Sequence, residues 1–127
     1  MTKILIVDDE PHIRLLLEQI LEDFKEQGVD ILSCDNGIDA LEIIKQEKPN
    51  MVFLDVLMSR MNGFDVCRIV KKELKMDNVY IILLTARGHG IDMKKGEEAG
   101  ADLYIGKPFD PAEIIEHAIR VLGLDIC

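Results

Sequence analysis

Five short apolar runs, each followed by a segment with helical periodicity, constrain the fold of this chain more than any other feature. The runs cover residues 4–7, 29–34, 51–54, 79–84 and 103–105. Four of them are almost unbroken, which is typical of parallel strands that helices cover on both faces. The second run contains Asp30 and Ser33, and its polarity predicts an edge strand.

Helical segments follow these runs, at residues 11–27, 37–48, 63–75, 90–100 and 111–123. The first segment places Leu17 and Phe24 on one apolar face, and the third does the same with Val70 and Leu74. The fourth segment is rich in glycine and has the weakest apolar pattern. We therefore expect five helices, of which the fourth is the least amphipathic.

Strand–helix alternation along the chain predicts one α/β domain over residues 1–127, built on a doubly wound five-stranded parallel sheet of the (βα)5 type. No window approaches the roughly 18 consecutive apolar residues of a transmembrane helix. Met1-Thr2-Lys3 leads directly into the first strand. We therefore expect no membrane contact and a cytoplasmic protein.

The chain carries 24 acidic and 15 basic residues, a formal net charge of −9. An acidic surface repels the phosphates of nucleic acids and of anionic membranes, so we expect neither to be a direct partner. The three cysteines, Cys34, Cys67 and Cys127, form no Cys-x-x-Cys pair, which disfavours a metal cluster or a disulfide framework. Cys34 and Cys67 are expected to be reduced core residues.

Polar side chains stand where four of the predicted strands end, in the order Asp8-Asp9-Glu10, Asp55, Thr85 and Lys107. Each of them alone is explained by a turn, a helix cap or a solvated surface position. Ligands of an open parallel sheet bind outside the carboxyl ends of the strands. Because all of these residues fall at such ends, they predict one shared site.

Clustered carboxylates repel one another, so this acidic edge requires a cation. Oxygen ligands with access to solvent favour Mg²⁺, which often bridges a carboxylate to a phosphate. A carboxylate nucleophile, a metal, an ammonium group and a hydroxyl suit a site that holds phosphate on an aspartate. A dinucleotide site is disfavoured, since no Gly-x-Gly-x-x-Gly follows the first strand, and carboxylates there would repel the phosphate of FMN.

Six motifs follow one another along the chain: Ile4-Leu-Ile-Val-Asp-Asp-Glu10, Phe53-Leu-Asp55, Met61-Asn-Gly63, Leu84-Thr-Ala86, Glu98-Ala-Gly-Ala-Asp102 and Lys107-Pro-Phe109. In this order and at this spacing they resemble the receiver (CheY-like) domain of two-component response regulators. The resemblance runs from Lys3 to about Leu122. It implies the flavodoxin-like strand order 2-1-3-4-5.

The resemblance implies that Asp55 is the phosphoacceptor, which takes a phosphoryl group from a sensor histidine kinase or a phosphotransfer protein. Asp9 would bind Mg²⁺ directly and Asp8 through water. Asp55 and the backbone carbonyl of Leu57 would be further ligands of the metal.

The resemblance also assigns three residues around the phosphoryl group. Thr85 would donate a hydrogen bond to its oxygens and move when Asp55 is modified. Lys107 would pair with the phosphate, oriented by a cis peptide bond to Pro108. Tyr104 matches the switch aromatic, which turns inward as Thr85 moves; an ordinary edge-strand aromatic is the alternative.

Three positions depart from the family pattern. Ser59 stands where the family usually has proline, so the fixed φ of proline is lost from the loop after the third strand. Arg60 follows, where a small or polar residue is commoner, and Gly106 stands where Thr or Ser is frequent. We expect these changes to affect loop rigidity and kinetics rather than the chemistry.

The resulting prediction is a phosphorylation-activated response regulator that is a phosphoacceptor and not a metabolic enzyme. It would switch a protein-binding face toward a downstream target, as a stand-alone regulator or a relay intermediate. One alternative is a phosphohydrolase of the haloacid-dehalogenase type. That class needs a second Asp two residues after the nucleophile as general acid, and this chain has Leu57 at that position. A second is a pseudo-receiver that binds without being phosphorylated, which the intact site residues disfavour.

Two further expectations concern docking and lifetime. Leu15 lies off the core stripe of the first helix and Leu16 at its edge, so we expect exposed apolar surface there, where a kinase could dock. Leu57 offers no hydrogen bond to an attacking water, and Arg87 could shield the phosphate. Both features predict slow self-hydrolysis, unless Arg87 points to solvent.

Overall fold

Five parallel strands form one sheet in the order β2-β1-β3-β4-β5, which confirms the predicted doubly wound fold. The structure is a computed structural model that describes residues 2–58, 60–86 and 90–124. The strands are β1 Lys3–Val7, β2 Asp30–Cys34, β3 Met51–Asp55, β4 Tyr80–Ala86 and β5 Leu103–Lys107. The helices are α1 Pro11–Ile20, α2 Gly37–Glu47, α3 Gly63–Arg68, α4 Gly90–Ala99 and α5 Pro111–Leu122.

Two apolar layers hold the helices against the sheet. One layer joins it to α2, α3 and α4 through residues such as Ile44 and Val66. The other joins it to α1 and α5 through Leu17 and Ile114. Every residue of β3 is buried, whereas none of β2 is fully buried, so β3 is central and β2 is the edge strand that its polarity predicts.

The predicted helix over residues 11–27 divides into two parts. Helix α1 ends at Ile20, and a 3-10 segment, Glu22–Gln27, continues to Gly28, whose φ of 84° terminates it. Leu17 and Phe24 are both buried, at 0% and 1% exposure. The change from an α-helix to a 3-10 helix therefore leaves Leu17 and Phe24 on the buried face, as predicted.

The predicted helix over residues 63–75 also changes type, because α3 passes into a π-helical segment, Ile69–Glu73. The N–H of Leu74 donates to the carbonyl of Ile69 at 2.8 Å. A π turn holds more residues than an α turn, so the apolar stripe loses its phase there. Val70 is buried as predicted, but the prediction that Leu74 belongs to the core is wrong, since it is 41% exposed.

Asp102 fixes the turn between α4 and β5. Its Oδ2 atom accepts the N–H of Ile81 at 2.8 Å and lies 2.8 Å from Nζ of Lys71. Gly100 has φ 88°, and a Cβ there would lie 3.1 Å from Cβ of Lys71. These contacts explain why a glycine and an aspartate stand two residues apart in this motif.

Three smaller expectations concern strand ends, cysteines and membrane spans. Strand β5 continues to Lys107, two residues beyond the predicted run. Cys67 is buried and Cys34 is half-buried, and both are free thiols; Cys127 lies outside the described residues. In the part of the chain that the structure describes, no helix has the length and apolar character to cross a bilayer.

Candidate functional site

Strand register brings the predicted site residues to one edge of the sheet. Val7 lies opposite Leu54, so the next residues, Asp8 and Asp55, are level with each other. Asp55 in turn lies opposite Leu84. Thr85 is therefore one residue nearer the edge on the neighbouring strand, as the strand-end argument predicts.

Lys107 connects the two buried carboxylates. Its Nζ atom lies 2.7 Å from Oδ2 of Asp8 and 3.2 Å from Oδ1 of Asp55. Asp8 is fully buried and Asp55 is 5% exposed. The single ammonium group of Lys107 thus pairs with two carboxylates. These lie at the ends of β1 and β3, which do not neighbour β5 along the chain.

Burial and the neighbouring charges shift two pKa values in this cluster. Burial, reinforced by the charge of Asp8, raises the pKa of Asp55 from its ordinary 3.8 to about 6, although Lys107 opposes the change. Burial alone would lower the pKa of Lys107, but its hydrogen bond to Asp8 and the charge of Asp55 raise it. Lys107 therefore offsets only part of the combined effect of burial and of Asp8 on the pKa of Asp55.

The loop after β1 gathers three acids at this edge. The ligand oxygens of Asp8, Asp9 and Glu10 all lie within 4.8 Å of one another. Asp9 and Glu10 are exposed, and the N–H of Glu10 donates to Oδ1 of Asp8 at 2.9 Å. Carboxylate oxygens with access to solvent are what a Mg²⁺ ion requires, so this donor set fits the predicted metal.

Glu10 is not among the predicted metal ligands, although its place in the acidic triplet is a sequence signal for it. The predicted ligands are Asp8, Asp9, Asp55 and the carbonyl of Leu57. Of these, Asp55 is linked to the acidic loop through the shared ion pair with Lys107. Leu57 follows Asp55 by two residues and is 70% exposed.

Thr85 and Tyr104, the predicted switch residues, lie on adjacent strands. Thr85 is 1% exposed at the end of β4. Tyr104 lies opposite Leu83, and its ring lies over Gly96 of α4. Burial, together with the charge of Glu97, raises the pKa of the Tyr104 hydroxyl. The aromatic ring is thus in contact with α4 rather than isolated at the sheet edge.

The loop from β3 to α3 approaches the backbone of Asp55 closely. The N–H of Gly63 donates to the carbonyl of Val56 at 2.9 Å. A Cβ at Gly63 would lie 2.3 Å from the carbonyl oxygen of Asp55, so only glycine fits there. Earlier in the loop, Arg60 and Met61 have φ values of 62° and 128°, which are strained for side chains of this kind.

The cis peptide bond, the departures from the family pattern and the predicted shield have different outcomes. The Lys107–Pro108 bond is cis, as predicted. Gly106 lies opposite Thr85 in the ladder and is exposed. Ser59 and Arg87 lie outside the described residues.

Helix α1 has an exposed apolar surface and makes one contact with the loop after β1. Leu15 and Leu16 are 55% and 40% exposed, which confirms the predicted apolar surface. Arg14, which sequence reasoning missed, donates from Nη1 to the backbone carbonyl of Asp8 at 2.7 Å. No periodicity signals such a contact, because it joins a helix side chain to a loop carbonyl six residues earlier.

Comparison with known proteins gives a consistent result. A family model described as "Response regulator receiver domain" matches residues 4–119. A relative from Porphyridium aerugineum, named "Probable transcriptional regulator ycf27", is 45% identical over 112 residues. The match covers 88% of this chain and 44% of the relative, so the chain spans less than half the length of that protein.

Solved structures show the same fold. The chemotaxis protein CheY4 of Vibrio cholerae has a TM-score of 0.83 at 27% identity, with 95% of this chain and 98% of that chain covered. The signal receiver domain of a signal transduction histidine kinase from Syntrophus aciditrophicus has a TM-score of 0.84 at 32% identity, covering 97% and 91%. Both agree with the observed strand order.

Proposed function

Because the chain belongs to the response regulator receiver domain family of two-component signalling, we propose that it is a switch that accepts a phosphoryl group on Asp55. Proteins of this family are generally phosphoacceptor signalling modules rather than classical enzymes. The observation that carries the proposal is the position of Asp55, a buried carboxylate bound to Lys107 and level with Asp8 at the edge of the sheet.

The transfer itself requires a nucleophile and charge compensation. A carboxylate oxygen of Asp55 forms a new bond to phosphorus while the bond from phosphorus to the donor atom breaks, and the donor leaves with that electron pair. Lys107, already 3.2 Å from Oδ1 of Asp55, stabilises the negative charge that spreads over the phosphoryl oxygens. The hydroxyl of Thr85 is the proposed hydrogen-bond donor to those oxygens.

The acidic loop supplies the place for a metal. Asp9 and Asp8 are the proposed Mg²⁺ ligands, with Asp55 and the carbonyl of Leu57 completing the set. When bound, Mg²⁺ would neutralise phosphoryl oxygens and the surrounding carboxylates. Support comes from the solvent-exposed Asp9 and from the excess of carboxylates over cations in this cluster.

The structural change that follows phosphorylation is then transmitted through β4, β5 and α4. Thr85 is buried and cannot follow a new phosphoryl group without vacating space at the end of β4. Tyr104, on the neighbouring strand, lies against Gly96 of α4. We therefore assign Thr85 and Tyr104 to the switch, with α4 and β5 as the face that changes.

Partners follow from this assignment. The donor is a sensor histidine kinase or a phosphotransfer protein, which we place against the exposed Leu15 and Leu16 of α1. The target is a further protein. The name of the relative from Porphyridium aerugineum favours control of transcription, whereas the receiver domain of a histidine kinase from Syntrophus aciditrophicus favours a relay. The net charge of −9 argues that this chain does not itself contact DNA.

The site residues disfavour two other functions. A phosphohydrolase of the haloacid-dehalogenase type needs an acid at position 57, where an exposed leucine stands. A pseudo-receiver would not need the ion pairs that hold Asp8 and Asp55 to Lys107. Neither has an observation in its favour.

The experiment that tests the proposal is labelling with acetyl phosphate and Mg²⁺, followed by intact-mass measurement. Wild type should gain one phosphate, and Asp55→Asn should gain none because an amide is not a nucleophile. Asp35→Asn is the matched control, since Asp35 is an exposed acid after β2 without a contact to Lys107. Normal labelling of Asp55→Asn, or no labelling of wild type, would contradict the proposal.

A further inference from the structure

Asp8 is held at four polar atoms, and one of the four contacts comes from α1. Its N–H donates to the carbonyl of Cys34 at 3.3 Å, which continues the ladder between β1 and β2. Its two carboxylate oxygens accept from Glu10 N–H and from Lys107. Its backbone carbonyl accepts from the guanidinium of Arg14 at 2.7 Å. Asp8 is therefore held by four contacts, of which Arg14 supplies the one to its backbone carbonyl.

The carbonyl that Arg14 binds belongs to the peptide group that links Asp8 to Asp9. A peptide group is planar, so fixing its oxygen fixes the direction in which the chain enters Asp9. Asp9 is exposed, and its side chain has no hydrogen bond among the described contacts. Its position consequently depends on its backbone, which Arg14 holds on one side through the carbonyl of Asp8 and the N–H of Glu10 holds on the other through Oδ1 of Asp8.

Arg14 also lies near acids other than Asp8. It lines a pocket together with Asp35, which follows β2, and Asp39, which lies in the first turn of α2. The planar, multiply donating guanidinium can bind a carbonyl with one nitrogen while its charge remains close to other acids. A lysine, one atom shorter and without a second donor nitrogen, can reproduce only part of this.

We propose that Arg14 is a positioning residue for the cation site, which acts by orienting the Asp8–Asp9 peptide group. The inference rests on the proposed function, because it assumes that Asp9 is a metal ligand. Groups that orient metal ligands typically change metal affinity by about 10-fold or more when they are removed. The positive charge of Arg14 has the opposite effect, since a cation near the site repels Mg²⁺.

Orientation by Arg14 raises the affinity for Mg²⁺ and the charge of Arg14 lowers it, so two substitutions can separate the two effects. Arg14→Lys keeps the charge and part of the hydrogen bond, and Arg14→Gln removes the charge and shortens the side chain. Mg²⁺ affinity is measured for each protein from the amide NMR shifts of residues 9 and 10, and the unfolding midpoint is measured in urea. Arg68→Gln is the matched control, because Arg68 pairs with Glu73 on the surface of α3.

If Arg14 positions the site, wild type binds Mg²⁺ most tightly, Arg14→Lys binds less tightly, and Arg14→Gln binds about 10-fold more weakly, while Arg68→Gln equals wild type. Tighter binding by Arg14→Gln would mean that the charge alone matters and would overturn the proposal. A lower unfolding midpoint with unchanged affinity would also overturn it. Wild type that binds no Mg²⁺ would instead refute the proposed function, and this inference with it.

Discussion

The ring of Tyr104 lies so close to Gly96 that a Cβ on this glycine would be 2.5 Å from Cε1 of the tyrosine. Real Cβ atoms do not approach another carbon this closely, so the bare backbone of α4 is what admits the ring. A change in the position of the Tyr104 ring therefore acts directly on the packing of α4.

Gly96→Ala is expected to displace the Tyr104 ring from α4. The substitution favours the helix by up to about 1 kcal/mol, so loss of folding is not the expected result. The measurement is the NMR chemical shift of the tyrosine rings. The chain has two tyrosines, and the ring of Tyr80, outside this contact, is the internal control. Unchanged signals from Tyr104 would show that the ring does not depend on the glycine.

Asp55→Asn is expected to stabilise the metal-free protein at neutral pH. The pKa of Asp55 is raised from 3.8 to about 6 in the folded protein, so folding favours the protonated form. That contribution is fully present below about pH 3.8 and is lost as the pH rises through 6. Above pH 6 the ionised carboxylate costs the fold about 1–3 kcal/mol, which the amide avoids.

The measurement for this prediction is urea unfolding in EDTA at pH 4 and pH 7.5. The advantage of Asp55→Asn over wild type should be small at the lower pH and larger at the higher. Asp30→Asn, at an exposed position at the start of β2, should show no such difference. An advantage that shrinks with rising pH would contradict the assigned direction of the pKa.

Asp9→Ala is expected to remove most of the Mg²⁺ affinity. A site with few protein ligands and several retained waters binds weakly, in roughly the millimolar range. At ten times the dissociation constant, Mg²⁺ should stabilise wild type by about 1.4 kcal/mol, and the variant by much less. The same titration with Glu10→Ala shows whether this nearby acid is also a ligand. Full retention of binding by Asp9→Ala would place the metal elsewhere.

Leu15→Glu is expected to slow phosphoryl transfer from the cognate kinase without affecting labelling by acetyl phosphate. Leu15 is 55% exposed on α1, and a charge there would have to be desolvated in a docked complex. Leu74→Glu provides the comparison, since Leu74 is also an exposed leucine but lies after the π-helical segment. Equal loss in both labelling assays would indicate misfolding rather than a docking defect.

Arg60→Asn is expected to stabilise the protein by about 0.5 kcal/mol, and Arg60→Val to destabilise it by about 1 kcal/mol. Arg60 is exposed and has a φ of 62°, a conformation that asparagine tolerates and β-branched residues avoid. Urea unfolding of the three proteins measures the difference. A more stable valine variant would show that this loop residue is not held in the left-handed region.

Much of this site could be predicted because parallel strands end at a common edge. Asp8, Asp55 and Thr85 needed only the strand assignment and the rule that ligands bind beyond the carboxyl ends. Lys107 followed in the same way, although it belongs to β5 itself rather than to the loop after it. The metal ligands and the kinase remain predictions, since the described contacts do not test them.

Features that depend on local changes of geometry could not be predicted. The π-helical segment at Ile69–Glu73 moves Leu74 out of the core, and no sequence pattern separates such a turn from an α-helical one. The contact from Arg14 to the carbonyl of Asp8 joins a side chain to the backbone, so residue periodicity carries no information about it.

The shared ion pair of Lys107 has a consequence for the order in which the chain is made. Asp8 and Asp55 leave the ribosome well before Lys107, which is separated from them by 99 and 52 positions. Until β5 has been synthesised and has joined β4, the two carboxylates face each other without the ammonium group that compensates them. A nascent chain truncated before residue 107 should therefore gain stability from acidic conditions or from a divalent ion, and lose that dependence once the last strand docks.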